Sequence, residues 1–297
     1  MASEFGPASP AVRLSGKEVS GLAARVLVAA LVPPGATGGT SEACEFLELT
    51  EGGALSRLDA DKEALLQVEW TTPAVTAEAA DAAILDFGGR PAHHAGPAVA
   101  DWLAAMAIEH GCGAVVVENI ASAELLAAGA QLLARQGISS ATLTQAEDGA
   151  VRFRLVLAGG GEWVQLRWPE GKAPIAMDVA TNLDALRAHA ETVVALAAGI
   201  AGGQAAALAA RDIPGATTGR AVIVAFLHEG AVEADASMAE AASQAGVAVM
   251  SSARYAQLKS DVLARGWPMD RPLWERLMAF ADRSLIPTSE RSRQGAG

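Results

Sequence analysis

The chain has 297 residues, 51% of them apolar and 19% charged, enough to bury a core in two domains or in one domain with a large extra lobe. A formal net charge of -12 and a pI near 4.9 exclude the extended basic face that nucleic-acid binding needs, leaving room only for a local basic pocket. Aromatic residues are only 4%, so the chain offers little to stack on a base or a sugar.

Residues 1–11 lack the basic and apolar segments of a secretory signal and read as a disordered tail. Residues 14–31 have helical spacing, and Ser15 with Glu18 three positions on makes a capping box. Pro33, Pro34 and Gly35 end that helix. A second helix opens at Thr40 or Ser41 and runs to Thr50, where Gly52 and Gly53 stop it. The run LLQVEW, 65–70, reads as a strand.

An alternating β/α unit follows. Residues 83–87 read as a strand, and Gly88, Gly89, Pro91, Gly96 and Pro97 as an irregular loop that holds His93 and His94. A helix over 99–109 follows, then the β-branched run AVVV at 114–117, which suits a strand buried on both faces. Ser122 is placed to cap a helix over 123–135, and 139–143 is the next strand. Residues 151–157 and 163–168 form a hairpin through Gly159, Gly160 and Gly161, and 174–179 is a further extended run.

A long Ala-rich helical stretch covers 183–211, with a break at Gly202 and Gly203. Within it, 193–210 has too few bulky apolar residues to read as a membrane span. Pro214 and Gly215 mark a boundary. The run AVIVAFL, 221–227, is a buried strand, 232–244 is helical and 246–250 extended. Helices over 252–265 and 271–283 precede a polar tail. The expected organisation is a tail over 1–11, an N-terminal helical lobe over 12–78, a central α/β domain over 79–214, and a C-terminal α/β lobe over 215–297 packing with the N-terminal lobe. The expected fold class is α/β, a central mixed sheet with packed helices and helical terminal lobes.

Candidate chemistry is sparse. His93 and His94 can move protons near neutral pH, and the glycines around them allow close ligand approach. The competing reading is a solvated loop with two incidental histidines. Adjacent histidines diverge on an extended segment, so no metal pair is expected. His110 falls at a helix C-terminus, where the dipole favours its charged form by about 0.3–1 kcal/mol. Cys44 and Cys112 form no CxxC pair and read as buried free thiols in a reducing cytoplasm. No P-loop, GxGxxG after a strand, or GxSxG elbow occurs. The tail gathers Arg283, Ser289, Arg291, Ser292 and Arg293, whose guanidinium and hydroxyl groups suit a carboxylate or phosphate. A frayed terminus is the alternative.

Two resemblances rest on these residues. His110-Gly111-Cys112-Gly113-Ala114-Val115-Val116-Val117-Glu118-Asn119, with Ala127, Ala128 and Gly137 after it, resembles the HGxGxVxVxN core of the second malate/L-lactate dehydrogenase family. Those enzymes depend on NAD(P) and lack a Rossmann fold. The run PIAMDVAT from Pro174 is similar to the same family's P-hydrophobic-D-M-A-T segment. The resemblance implies a non-Rossmann malate/lactate dehydrogenase-like fold and a ligand-binding role for Asn119. It also implies hydride transfer to a 2-oxo acid or cyclic imine with histidine as the acid. The family's SHG histidine has no counterpart near Glu51 to Leu58, however. Its second histidine has none in Ile120-Ala121-Ser122-Ala123 either, so neither is carried over. The end of the chain, from Ala281 to Gly297, resembles the C-terminal signature of a bacterial domain-of-unknown-function family that implies no activity.

Three functions are weighed. The first is a divergent small-metabolite-binding relative of the dehydrogenases, taking an anionic metabolite between the central unit and the terminal lobes through Arg283, Arg291, Arg293 and His93 or His94. The second is an active NAD(P)-dependent reductase in which His93 or His94 replaces the missing acid. The third is a non-catalytic subunit of a metabolic enzyme. The expected partners are a small anionic metabolite and a second copy in a homodimer, with no nucleic acid and no membrane, and the expected compartment is the cytoplasm.

Overall fold

The computed structural model describes residues 11–68, 73–145, 151–174, 182–209, 211–212, 220–228, 230, 232 and 236–285. The chain divides into two compact units, one of residues 1–68 with 257–297, the other of residues 69–256.

The first unit opens with a short strand β1 (Val12–Leu14) and helix α1 (Gly16–Ala29). The capping box forms as the spacing requires: the Glu18 N–H donates to Ser15 Oγ at 3.3 Å, and the Ser15 N–H to Glu18 Oε2 at 2.7 Å. α1 buries Val19, Leu22, Val26 and Leu27 along one stripe. Helix α2 (Pro34–Thr50) starts earlier than the sequence reading had it. Pro34 does not merely end α1; it is the first residue of α2, where a missing N–H costs nothing. Helix α3 (Ala54–Leu66) takes in Leu65 and Leu66, the first two residues of the strand expected at 65–70. Leu55, Leu58 and Leu65 recur at helical spacing and are fully buried, so packing of that stripe overrides the local β preference. Residues 69–72 lie outside the described ones.

The second unit is built on an eight-stranded mixed sheet. Its strands are β2 (Ala74–Ala79), β3 (Ala82–Pro91), β4 (Cys112–Ala121), β5 (Ile138–Gln145), β6 (Val151–Gly159), β7 (Glu162–Arg167), β10 (Ala221–Leu227) and β11 (Ala248–Ser251). The two-residue strands β8 (Lys172–Ala173) and β9 (Arg211–Asp212) pair with each other apart from it. The order across the sheet is β11-β7-β6-β5-β10-β4-β3-β2. Among the described residues only β3 and β4 are parallel, joined by the crossover helix α4 (Ala92–His110). A 3-10 segment (Ala123–Ala128) and helix α5 (Gly129–Arg135) lead from β4 to β5. Ser122 does not take the extended backbone of an N-cap: its φ is 56°, and the following turn is 3-10 rather than α.

β10 sits between β4 and β5, antiparallel to both. Its alternate residues are buried on both faces. Ala221, Ile223 and Ala225 join the cluster under α4, while Val222, Val224 and Phe226 join the cluster under helix α6 (Leu183–Ala201). That double burial makes β10 an interior strand of the sheet. The segment through residue 256 belongs with the sheet, and only the part from 257 on belongs with the N-terminal helices.

α6 ends where Gly202 and Gly203 interrupt it, and a 3-10 turn (Ala205–Leu208) follows. Helix α7 (Ala236–Gln244) precedes β11, and helix α8 (Ser252–Arg265) carries the chain into the first unit. There β12 (Trp267–Met269) pairs antiparallel with β1, and helix α9 (Arg271–Ala281) packs on α1. Among the described residues no helix is long and apolar enough to cross a membrane.

Candidate functional site at the carboxyl edge of the sheet

In an open α/β sheet, ligands collect outside the carboxyl ends of the parallel strands, where the chain turns into its crossover helix. Here that edge is irregular. Asp86 pairs with Glu118 and the next registered pair is Arg90 with Ile120, so three residues, Phe87, Gly88 and Gly89, stand opposite the single Asn119. The excess residues are taken up at φ of 59° for Gly88 and 83° for Gly89, values a side chain resists. Asn119 itself has φ of 51°, and Ser122 is left-handed as well. Bulges and left-handed non-glycine residues concentrate where a fold re-aims side chains for function.

The bulge organises a polar row. The Asp86 carboxylate accepts the Gly88 N–H at 2.8 Å. That hydrogen bond, with a second from the Asn119 side chain, holds the Asp86 carboxyl below the usual carboxylate range. Beside it Glu118 is ion-paired to Arg220, which immediately precedes β10.

Pro91 pairs with Ala121, so α4 begins next to Ser122. His93 therefore lies in the first turn of a helix, not in a loop, and only 2% of it is exposed. Gly88 and Gly89 read as loop-formers in sequence, but they bend a strand that continues to Pro91. His94 begins the same helix, and its side chain lies outside the described residues. The structure thus gathers His93 and Asn119 at one edge. Arg283 lies in the first unit, its Nη1 donating to both oxygens of Glu63 at 3.2 and 3.3 Å and its guanidinium 4.7 Å from the Phe280 ring centre. Ser289, Arg291, Ser292 and Arg293 lie outside the described residues, as does most of the run from Pro174 to Thr181. Sequence reasoning read Gly88 and Gly89 as loop residues and did not connect them with Asp86. The available signal was a glycine pair directly after an apolar strand and an acid.

The opposite, amino end of β3 and β4 carries a groove of about 460 Å3 lined by Asp81, Cys112, Arg187 and small apolar residues of α6. Arg187 donates from Nε and Nη2 to Asp81 Oδ1 at 2.8 and 2.7 Å, and this pairing holds the Asp81 carboxyl low. Burial, reinforced by Asp81, pushes the Cys112 thiol up to about 11, and burial pushes Cys44 up to about 12. Both are free thiols. Alkylation of the native protein should therefore reach half-buried Cys112 before buried Cys44. Its rate should climb about tenfold per pH unit between pH 8 and 10 as thiolate forms. Peptide mass spectrometry of timed samples reads both effects, and prior labelling of Cys44 would contradict the placement.

No protein-family model matches this sequence, and no curated protein does. Solved structures match along their whole length. A dehydrogenase from Sinorhizobium meliloti aligns with a TM-score of 0.59 at 15% identity, over 92% of this chain and 100% of that one. Malate dehydrogenase from Pyrococcus horikoshii aligns with a TM-score of 0.57 at 14% identity, over 96% and 99%. The fold is malate/lactate dehydrogenase-like. The delta1-piperideine-2-carboxylate reductase of Pseudomonas syringae shares this dehydrogenase-like fold, with a TM-score of 0.52 at 15% identity over 91% and 99%. At such identities the likeness establishes the fold and not the chemistry.

Proposed function

We propose that the chain is a divergent relative of the malate/lactate dehydrogenases that binds a small anionic metabolite and does not transfer hydride. One observation carries the reading: a dehydrogenase-like fold in which neither histidine of the resemblance has a counterpart and His93 is enclosed. Neither histidine that the resemblance calls for is present, and His93 is 2% exposed. A general acid has to come within about 3 Å of the atom it protonates. A ring so enclosed does not meet a substrate. The residues at the two positions where the resemblance places histidine do not fit a nicotinamide-dependent reduction with histidine as acid. The proposal includes a homodimer in the cytoplasm.

Incubation of the purified chain with NADH or NADPH and a panel of 2-oxo acids and cyclic imines should leave the nicotinamide absorbance unchanged. Millimolar dicarboxylates should raise the melting temperature. Consumption of NADPH that disappears in His93→Ala or His94→Ala would overturn the reading in favour of an active reductase. Light scattering on the same sample tests the homodimer, and a monomer at micromolar concentration removes that part.

A further inference from the structure

The groove at the amino end of β3 and β4 is lined by Asp81, in the turn between β2 and β3, by Cys112 at the start of β4, and by one flank of α6. On that flank Arg187, Glu191, Val194 and Ala198 follow one another at three or four residues, so they form a single wall about three turns long. A volume of about 460 Å3 is that of a small-molecule site, and such sites are mostly apolar with a few placed polar groups. The apolar part here is Ala190, Val194, Ala195, Ala198 and the half-buried Cys112 side chain. Asp81 and Arg187 sit together at one end.

The polar groups are unequally committed. Arg187 is held by two acids: Nε and Nη2 donate to Asp81 Oδ1, and Nη1 stands 4.0 Å from Asp184 Oδ1. Both bonds from Arg187 to Asp81 fall on one oxygen. A carboxylate accepts at about four lone-pair positions, so Asp81 keeps acceptor capacity after these bonds and the one from its own N–H. Glu191, exposed one turn beyond Arg187, makes no hydrogen bond or ion pair among the described residues. His110 is felt by Asp81 but does not line the groove. What the polar end offers a ligand is therefore hydrogen-bond acceptance.

We propose that this groove is a separate ligand site for a small primary amine with an apolar body. The ammonium donates to Asp81 and Glu191, and the body lies on Val194, Ala195, Ala198 and Cys112. The site is at the other edge of the sheet from Asn119 and stands independently of the metabolite-binding reading. An ammonium has three donors and no acceptor, which matches a wall that accepts. A carboxylate ligand would meet two carboxylates and a guanidinium already engaged. The lining carboxylates stay in contact with water, so the charge contributes modestly and apolar contact supplies the rest.

The probe is phenethylamine, with phenylacetate and 2-phenylethanol carrying the same body on a carboxylate or a hydroxyl. Calorimetric titration of the full chain should give the amine a Kd of about 1 mM or lower. Each analogue should bind about threefold more weakly or worse. At ten times its Kd the amine should slow alkylation of Cys112 by iodoacetamide about tenfold, because the occupied groove covers the thiol. Ala195→Phe, at an exposed position of α6, fills the groove and should abolish binding at an unchanged melting temperature. Glu191→Gln should weaken the amine about threefold. Equal affinity for the amine and phenylacetate would overturn the amine assignment. Binding that leaves Cys112 alkylation unchanged, or that survives in Ala195→Phe, would overturn the groove as the site, as would failure of the amine to bind at all.

Discussion

Phe153→Ala should lower the unfolding free energy by about 3–5 kcal/mol, the largest effect expected of any single truncation in the sheet. Phe153, the third residue of β6, is 0% exposed on the face covered by α6. Its ring meets Trp168 edge-on, centroids 5.2 Å apart and planes at 71°. Such a pair adds about 0.5–1.5 kcal/mol beyond the area it buries. Trp168 is itself fixed, its indole N–H donating to the Leu208 carbonyl at 3.2 Å, so it cannot swing in to fill the space. The cavity term is therefore retained in full. Phe153→Leu keeps most of the volume and should cost about 1.5 kcal/mol or less. Urea denaturation followed by tryptophan fluorescence measures both, through a lower midpoint at unchanged slope. A loss below about 1 kcal/mol for the alanine variant would mean that this side of the sheet is not packed as described.

Much of this core was legible in the sequence, because its strands are the apolar runs that carry no other interpretation. AVVV at 114–117 and AVIVAFL at 221–227 are too short for helices and too uniformly apolar for a half-exposed strand, and both are interior strands of the sheet. The Ser15 and Glu18 pair was legible for the same local reason: a cap is written within four residues. What sequence did not show was adjacency. Nothing in 221–227 says that it lies between β4 and β5, since that order depends on which faces are left uncovered when the helices have packed. α3 was misread because LLQVEW is β-prone on its own, while the stripe that decides its structure reaches back to Leu55.

The site was legible in part. His93 was singled out as a polar residue among glycines and Asn119 through the family resemblance, and both lie at the carboxyl edge. The enclosure of His93 was not readable, because Gly88, Gly89 and Pro91 resemble a loop unless the strand they bend is known to continue. The pairing of Arg154 with Arg167 in the sheet was within reach. In VRFRL the alternation already sets Arg152 and Arg154 on one face. A hairpin turning through Gly160 and Gly161 brings Arg167 opposite Arg154, by counting outward from the turn.

Asn119→Val should destabilise the chain by about 2–3 kcal/mol, and Asn119→Gly by about 1 kcal/mol or less, although glycine removes more of the side chain. Two effects separate the variants. At φ of 51° a β-branched residue is strained, whereas glycine adopts this backbone freely. Both variants lose the side-chain hydrogen bond to Asp86, and only that part depends on pH. The Asp86 carboxyl is held below its ordinary value, so the stability it contributes is fully present above about pH 4, the unfolded value. That contribution is lost as pH falls through the lower folded value. The gap between wild type and Asn119→Gly should therefore close in acid, while the gap between Asn119→Val and Asn119→Gly should persist, because backbone strain has no proton to lose. Thermal melts of the three proteins at neutral pH and near pH 3 resolve the two terms. Equal destabilisation by valine and glycine would show that the left-handed turn at the edge of β4 is not under side-chain constraint, and the bulge would then be a feature of packing alone.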